Sequence, residues 1–137
     1  MLQESSRAML TGPFSIVALH GLNGHAFNTW ATKAGHMWLR DSLPSDIPNA
    51  RILTYGYDSN PSSASFAGIE DFALDFLAAL HDKRRDVGVI RTAPVPSLIR
   101  KLIYQVGTRK LILIGHSLGG ILIKKVCFHP LRSFLGY

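Results

Sequence analysis

The five residues Gly115-His-Ser-Leu-Gly119 constrain the fold more than any other stretch, because of what stands on either side of them. The run Leu111-Ile-Leu-Ile114 before them has the length and composition of a buried strand. Residues 120–128 after them form a mostly apolar stretch that is long enough for a helix. A strand that passes into a helix within five residues needs a tight turn, and glycine permits one. The pattern therefore favours an α/β fold.

Two further strands are predicted upstream, at residues 15–20 and 51–57, each a short apolar run next to turn-forming residues. The predicted order is strand, helix, strand, helix, strand, helix. Continuous apolar strands separated by helices indicate a mainly parallel sheet of about three strands covered on both faces, a three-layer α/β/α sandwich.

The helices are predicted from periodicity and from the residues that end them. A short helix begins at Met37 and is expected to stop near Pro44. A longer helix follows from an apolar stripe at helical spacing, made of Ile69, Phe72, Ala73, Phe76, Leu77 and Leu80. Residues 58–65 and 86–97 are predicted to be loops, and residues 97–106 another short helix.

Composition excludes several classes of protein. Of 137 residues, 47% are apolar and 18% are charged, which is too much apolar material for a disordered chain. Cys127 is the only cysteine, so a disulfide scaffold is excluded. The net charge is +6, but the basic residues are scattered and form no stripe with aromatics, so no nucleic-acid partner is expected. With no apolar run of spanning length and no signal sequence, we expect no transmembrane segment and a cytoplasmic location.

Ser117 is the candidate nucleophile, because Gly115 to Gly119 match the G-x-S-x-G nucleophile elbow, with His116 inside it and Gly120 after it. The residues two before and two after such a serine crowd the turn, so both must be small. The start of the following helix presents free backbone N–H groups to developing negative charge. A phosphate-binding loop is the alternative, but it requires a lysine that does not precede Ser117.

The loop of residues 20–24 is the second candidate part of the site. In an elbow enzyme one oxyanion donor is the N–H after the nucleophile, here Leu118, and the other comes from the loop after an earlier strand, here Leu22. We expect His20 to shape the loop, together with Gly21, through bonds to the backbone rather than to act as a base. A metal site built from the histidines is not expected, since no acidic or thiol ligand stands at metal-site spacing among His20, His25 and His36. No cofactor is predicted.

Several blocks together resemble one branch of the α/β-hydrolase superfamily. The resemblance is carried by Leu19-His-Gly-Leu-Asn-Gly-His25, Thr29-Trp30, Trp38-Leu-Arg-Asp41 with Leu43-Pro44, Ala50-Arg-Ile-Leu-Thr-Tyr-Gly-Tyr-Asp58 and Ile114-Gly-His-Ser-Leu-Gly-Gly-Ile-Leu-Ile-Lys-Lys125. That branch holds serine-active-site proteins similar to lipases and GPI inositol-deacylases, and hydrolase-like N-terminal domains of fungal NACHT or NB-ARC receptors. The resemblance implies a lipid or other acyl-ester substrate, and keeps mitochondrial and endoplasmic-reticulum membranes as alternative locations. By the strand order of that superfamily, we also expect the three strands side by side in the order second-first-third, which leaves the third strand at an edge.

The rest of a catalytic triad is missing, since no Asp or Glu follows Ser117. The only later histidine, His129, is expected to point away along its helix, about 18 Å on at roughly 1.5 Å per residue. Asp58, just past a strand, is a weak candidate acid. We therefore expect one partial hydrolase domain, with an extension at 1–14, a core at 15–126 and an atypical tail at 127–137.

Two functions follow from the sequence. The first is an esterase- or lipase-like serine hydrolase domain whose C-terminal half we expect to be missing. By itself it is expected to hydrolyse acyl esters slowly or not at all. The second is a non-catalytic signalling or effector module from the N-terminus of a receptor, which would act with downstream receptor domains as partners.

Overall fold

The computed structural model describes residues 1–4, 14–61, 68–85 and 110–128. Within these ranges four strands form one mixed sheet: β1 (Leu2–Glu4), β2 (Phe14–Leu19), β3 (Ala50–Tyr55) and β4 (Lys110–Gly115). The helices are α1 (Trp38–Asp41), α2 (Leu43–Asp46), α3 (Ile69–Arg85) and α4 (Leu118–Phe128), with a 3₁₀ turn at Asn28–Trp30. The α/β class predicted from the sequence is confirmed. The helix predicted at 97–106, the loop at 86–97 and the residue His129 lie outside the described residues.

The strand order is β1-β3-β2-β4, and β2 pairs in parallel with both β3 and β4. This confirms the predicted second-first-third arrangement of the three parallel strands. The part of the sheet that the structure describes has one strand more than predicted, because Leu2–Glu4 pairs antiparallel with the outer side of β3. Three residues, two of them polar, carry no periodicity that identifies a strand from sequence.

The two faces of the sheet carry separate cores. Alternate residues of β2 and β3 point to opposite sides, as the pleat requires. On one face Val17, Leu19, Leu53 and Tyr55 pack with α3 and α4, whose buried members include Ala73, Phe76, Leu77, Leu80, Leu122 and Val126. The stripe predicted for α3 thus faces the core. On the other face Ile16, Ala18 and Ile52 pack with Trp30, Met37 and Leu39.

Strand β4 is the least covered of the parallel strands. Among the described residues it has a neighbour on one side only, and Ile112 is 45% exposed, whereas Ile16 beside it is 2% exposed. The predicted apolar edge is therefore present in this part of the chain. No described helix is long and apolar enough to cross a bilayer.

The helix predicted to stop near Pro44 is instead two short helices. α1 ends at Asp41, and Pro44 lies in the first turn of α2. Proline lacks a backbone N–H, and the first turn of a helix is the place where that donor has no partner to lose. Pro44 therefore opens a helix where the sequence pattern suggested that it ends one.

Candidate functional site

The candidate site lies where the parallel strands end. β2 ends at Leu19, β3 at Tyr55 and β4 at Gly115, so the loops after them meet at one edge of the sheet. In open parallel sheets this edge is the usual place for ligand sites. The backbone N–H of His116 donates to the carbonyl of Leu19 at 3.0 Å, which ties the elbow to the end of β2.

Ser117 occupies a backbone conformation that side chains rarely adopt, with φ of +54°. Left-handed geometry costs a non-glycine residue roughly 1–2 kcal/mol, and such strain is found at sites where a side chain must be presented. Ser117 is exposed, at the turn between β4 and α4. This is the conformation expected of the serine in a nucleophile elbow.

The glycines of the elbow stand where no other residue fits. A Cβ on Gly115 would lie 2.5 Å from the backbone nitrogen of Gly120, and a Cβ on Gly119 would lie 2.3 Å from the carbonyl oxygen of Leu19. Gly120 itself is different, since its nearest neighbour would be 4.0 Å away. Positions 115 and 119 therefore need glycine because a Cβ at either one would clash with backbone atoms that lie against the turn.

The backbone N–H groups at the start of α4 differ in whether they have a partner. The N–H groups of Gly119 and Gly120 donate to the carbonyls of His116 and Ser117, both at 2.9 Å. Within the described part of the chain no acceptor is bonded to the N–H of Leu118. The amide next to the serine is thus available to a ligand.

The loop of residues 20–24, which we call the oxyanion loop, touches the elbow. A Cβ on Gly21 would lie 2.7 Å from Cβ of Ser117 and 2.9 Å from the carbonyl oxygen of His116. Leu22 is 55% exposed, and its backbone N–H has no acceptor among the described residues. The structure therefore brings together the two segments that the sequence analysis singled out.

His20 is buried and fully engaged. Its Nδ1 lies 2.9 Å from the carbonyl oxygen of Gly21, and its Nε2 accepts the backbone N–H of Tyr57 at 3.3 Å. Because a carbonyl only accepts, these partners assign the proton to Nδ1 and leave the ring neutral. Burial lowers the pKa of His20, and the bond to Gly21 partly offsets that effect. Neither ring nitrogen is left to take a proton from Ser117.

The other candidate residues play no part in this cluster. Asp58 is exposed, and its Oδ1 accepts the N–H of Asn60 at 3.1 Å; no histidine in the described ranges pairs with it. Nδ1 of His25 accepts two backbone N–H groups, and Nε2 of His36 lies 2.9 Å from Oγ of Ser42. No three potential metal ligands come together in the described segments.

Sequence reasoning missed three residues around the site. Tyr57 stacks on His20 with ring centroids 4.4 Å apart, and Ser59 is buried with its Oγ 2.9 Å from the carbonyl oxygen of Gly21. Trp30 lies edge-on to His116, 6.4 Å between centroids, and its buried Nε1 has no partner among the described residues. The available signal was the topology: Tyr57 and Ser59 follow a parallel strand and so reach the same edge.

The fold and this edge define an α/β protein in which an elbow-like strand-to-helix turn meets the loops that follow the other parallel strands. The chain is similar to the protein SERAC1 of Bos taurus (28% identical), Danio rerio (29%) and Homo sapiens (27%). In each case the match covers 81% of this chain and 17% of the relative, so the chain spans under a fifth of those proteins. This similarity is compatible with a hydrolase-like fragment. No protein-family model and no solved structure matches the chain.

Proposed function

We propose that this chain is part of an α/β-hydrolase-like serine hydrolase domain that acts on acyl esters, with Ser117 as nucleophile. The observation that carries the proposal is the conformation of Ser117, exposed at φ +54° on the turn between a parallel strand and a helix. Nothing in the described core needs a strained, exposed serine at this point. A structural turn of the same shape would be less strained with glycine.

The surroundings of Ser117 support the proposal. The N–H groups of Leu118 and Leu22 have no acceptor in the described residues and belong to the two segments that meet at the serine. An oxyanion hole commonly provides two such donors to the tetrahedral oxyanion. Removal of one donor from an oxyanion hole lowers kcat by roughly 10²–10³-fold. In this proposal Ser117 attacks the ester carbonyl and the two amides stabilise the oxyanion.

We propose further that the 137 residues turn over esters slowly, because no base in the described part of the chain bonds to Ser117. His20 has both ring nitrogens bonded, Asp58 pairs with no described histidine, and no acid follows Ser117 in the sequence. When a catalytic triad is removed, the oxyanion hole and substrate binding alone still accelerate the reaction by roughly 10³–10⁴-fold over the rate in water. Acyl-ester substrates of lipid type are the class that the sequence resemblance favours.

Labelling with a fluorophosphonate probe tests the proposal, because such a probe needs a reactive serine and an oxyanion hole but no known substrate. We expect slow labelling that maps to Ser117, is lost in Ser117→Ala and persists in Ser45→Ala, which alters an exposed serine on α2. Labelling elsewhere, or none in protein shown to be folded, would contradict the proposal and favour a non-catalytic module.

A further inference from the structure

Residues 56–60 form the loop after β3, which we call the clamp loop. Hydrogen bonds join the clamp loop to the oxyanion loop on both sides of Leu22. Tyr57 donates its backbone N–H to Nε2 of His20 and its hydroxyl to the carbonyl oxygen of His20, the latter at 2.8 Å. The backbone carbonyl oxygen of Ser59 accepts a hydrogen bond from the N–H of Asn23 at 3.3 Å. The clamp loop therefore holds residues before and after Leu22, which itself contacts no acceptor in the described structure.

Three donors converge on the carbonyl oxygen of Gly21. They are Nδ1 of His20 at 2.9 Å, Oγ of Ser59 at 2.9 Å and the backbone N–H of Gly24 at 3.0 Å. Two of these three donors belong to the oxyanion loop itself, and among the described residues only Ser59 reaches the carbonyl from another segment, the clamp loop. Ser59 is 6% exposed, so its hydroxyl donates to this carbonyl away from solvent.

Holding this carbonyl also fixes an amide. The Gly21 carbonyl and the Leu22 N–H belong to one planar trans peptide unit, in which the two groups point in opposite directions. The orientation of one determines that of the other. On the other side of Leu22, the N–H of Asn23 donates to the carbonyl oxygen of Ser59, so the next peptide unit is also held by the clamp loop.

We propose that Ser59 is a positioning residue for the oxyanion hole: by anchoring the Gly21 carbonyl and the Asn23 amide, it holds the Leu22 N–H in place for an oxyanion on Ser117. Tyr57 contributes by fixing the neutral His20 ring whose Nδ1 shares the same carbonyl. This inference rests on the proposed function for its chemistry. The clamp itself is a feature of the free protein and is measured without any reaction.

The test uses backbone ¹⁵N relaxation of the whole chain and compares the order parameter of the Leu22 amide in four proteins. We expect about 0.85 in the original sequence, the value of a rigid backbone, and below about 0.6 in Ser59→Ala. In Ser59→Thr, which keeps the hydroxyl, we expect the order parameter of the Leu22 amide to match that of the original sequence. In Ser45→Ala the order parameter should also be unchanged. If Ser59→Ala does not fold, Ser59→Cys, which keeps the size with a weak donor, takes its place.

A Leu22 amide that stays rigid in Ser59→Ala, or that is mobile in the original sequence, overturns the inference. Fluorophosphonate labelling of the same proteins separates it from the proposed function. We expect Ser59→Ala to label about tenfold more slowly, since it loosens one donor whose full removal costs roughly 10²–10³. Equal rates despite a mobile Leu22 overturn the positioning role. No labelling of any protein, with the Leu22 mobility as expected, refutes the proposed function and leaves the clamp standing.

Discussion

Two adjacent glycines in the first turn of α4 give opposite predictions for the same substitution. A Cβ on Gly119 would lie 2.3 Å from the carbonyl oxygen of Leu19 and 2.6 Å from that of His20. Both are backbone atoms at the end of a central strand, so they cannot move aside as a flexible side chain would. A Cβ on Gly120 would have the carbonyl oxygen of Gly115 at 4.0 Å as its nearest neighbour.

The magnitudes follow from two opposing effects. Alanine stabilises a helix interior by up to about 1 kcal/mol over glycine, and this is the whole effect expected for Gly120→Ala. For Gly119→Ala the same gain is opposed by overpacking, which costs about 1–3 kcal/mol and more where backbone must shift. Because the helix gain is common to both variants, we expect Gly119→Ala to be the less stable of the two by the overpacking cost, about 1–3 kcal/mol or more, since the overlap with Leu19 involves backbone.

Urea unfolding followed by far-ultraviolet circular dichroism measures both variants against the original sequence. The pair controls for helix propensity, because the two positions differ by one residue in the same helix. If Gly119→Ala were as stable as Gly120→Ala, the close approach of α4 to β2 would be refuted. The packing argument for small residues in the elbow would then fail.

Three further outcomes are expected. Ser117→Gly should unfold with a free energy about 1 kcal/mol higher than Ser117→Ala, because both lose the hydroxyl but only glycine is unstrained at φ +54°; equal stabilities in urea would contradict the strain. Burial lowers the pKa of His20 below the usual 6.5, so the unfolded chain binds more protons as the pH falls below that value. Stability should therefore fall on acidification, and less steeply in His20→Gln; an unchanged slope of urea midpoint against pH would refute this. Lys125→Met removes an ion pair in which Nζ of Lys125 lies 2.6 Å from a carboxylate oxygen of Glu70, between two exposed side chains. The free energy of unfolding should fall by less than about 1 kcal/mol. A larger loss of stability, measured by thermal melts, would contradict this expectation.

Local pattern was enough to predict most of the fold. Strands β2, β3 and β4 are short and mostly apolar, and the stripe from Ile69 to Leu80 has a single periodicity, so each is visible in a short window of sequence. The short strand Leu2–Glu4 was missed, because its pairing with β3 links residues about fifty positions apart. The role of Pro44 was misjudged for a local reason, since proline both ends helices and begins them.

The site was predictable only in part. A motif and its flanking elements pointed to Ser117, and topology placed the oxyanion loop beside it. The bonds of His20 could not be read from sequence, because they depend on Tyr57 and Ser59 in a loop that follows another strand. Whether a histidine is a base or a support is decided by the partners of its two nitrogens, and those partners are tertiary contacts.

The most direct test of the account is a ¹H–¹⁵N NMR spectrum of the protein after a phosphonate probe has reacted to completion with Ser117. The adduct places a phosphoryl oxygen where the oxyanion of an ester reaction would form. We predict that the amide protons of Leu22 and Leu118 both move downfield as they gain an acceptor, while amides on α3 do not. An adduct on Ser117 that leaves both amides unmoved, or no adduct at Ser117 after prolonged exposure at alkaline pH, would contradict the central claim.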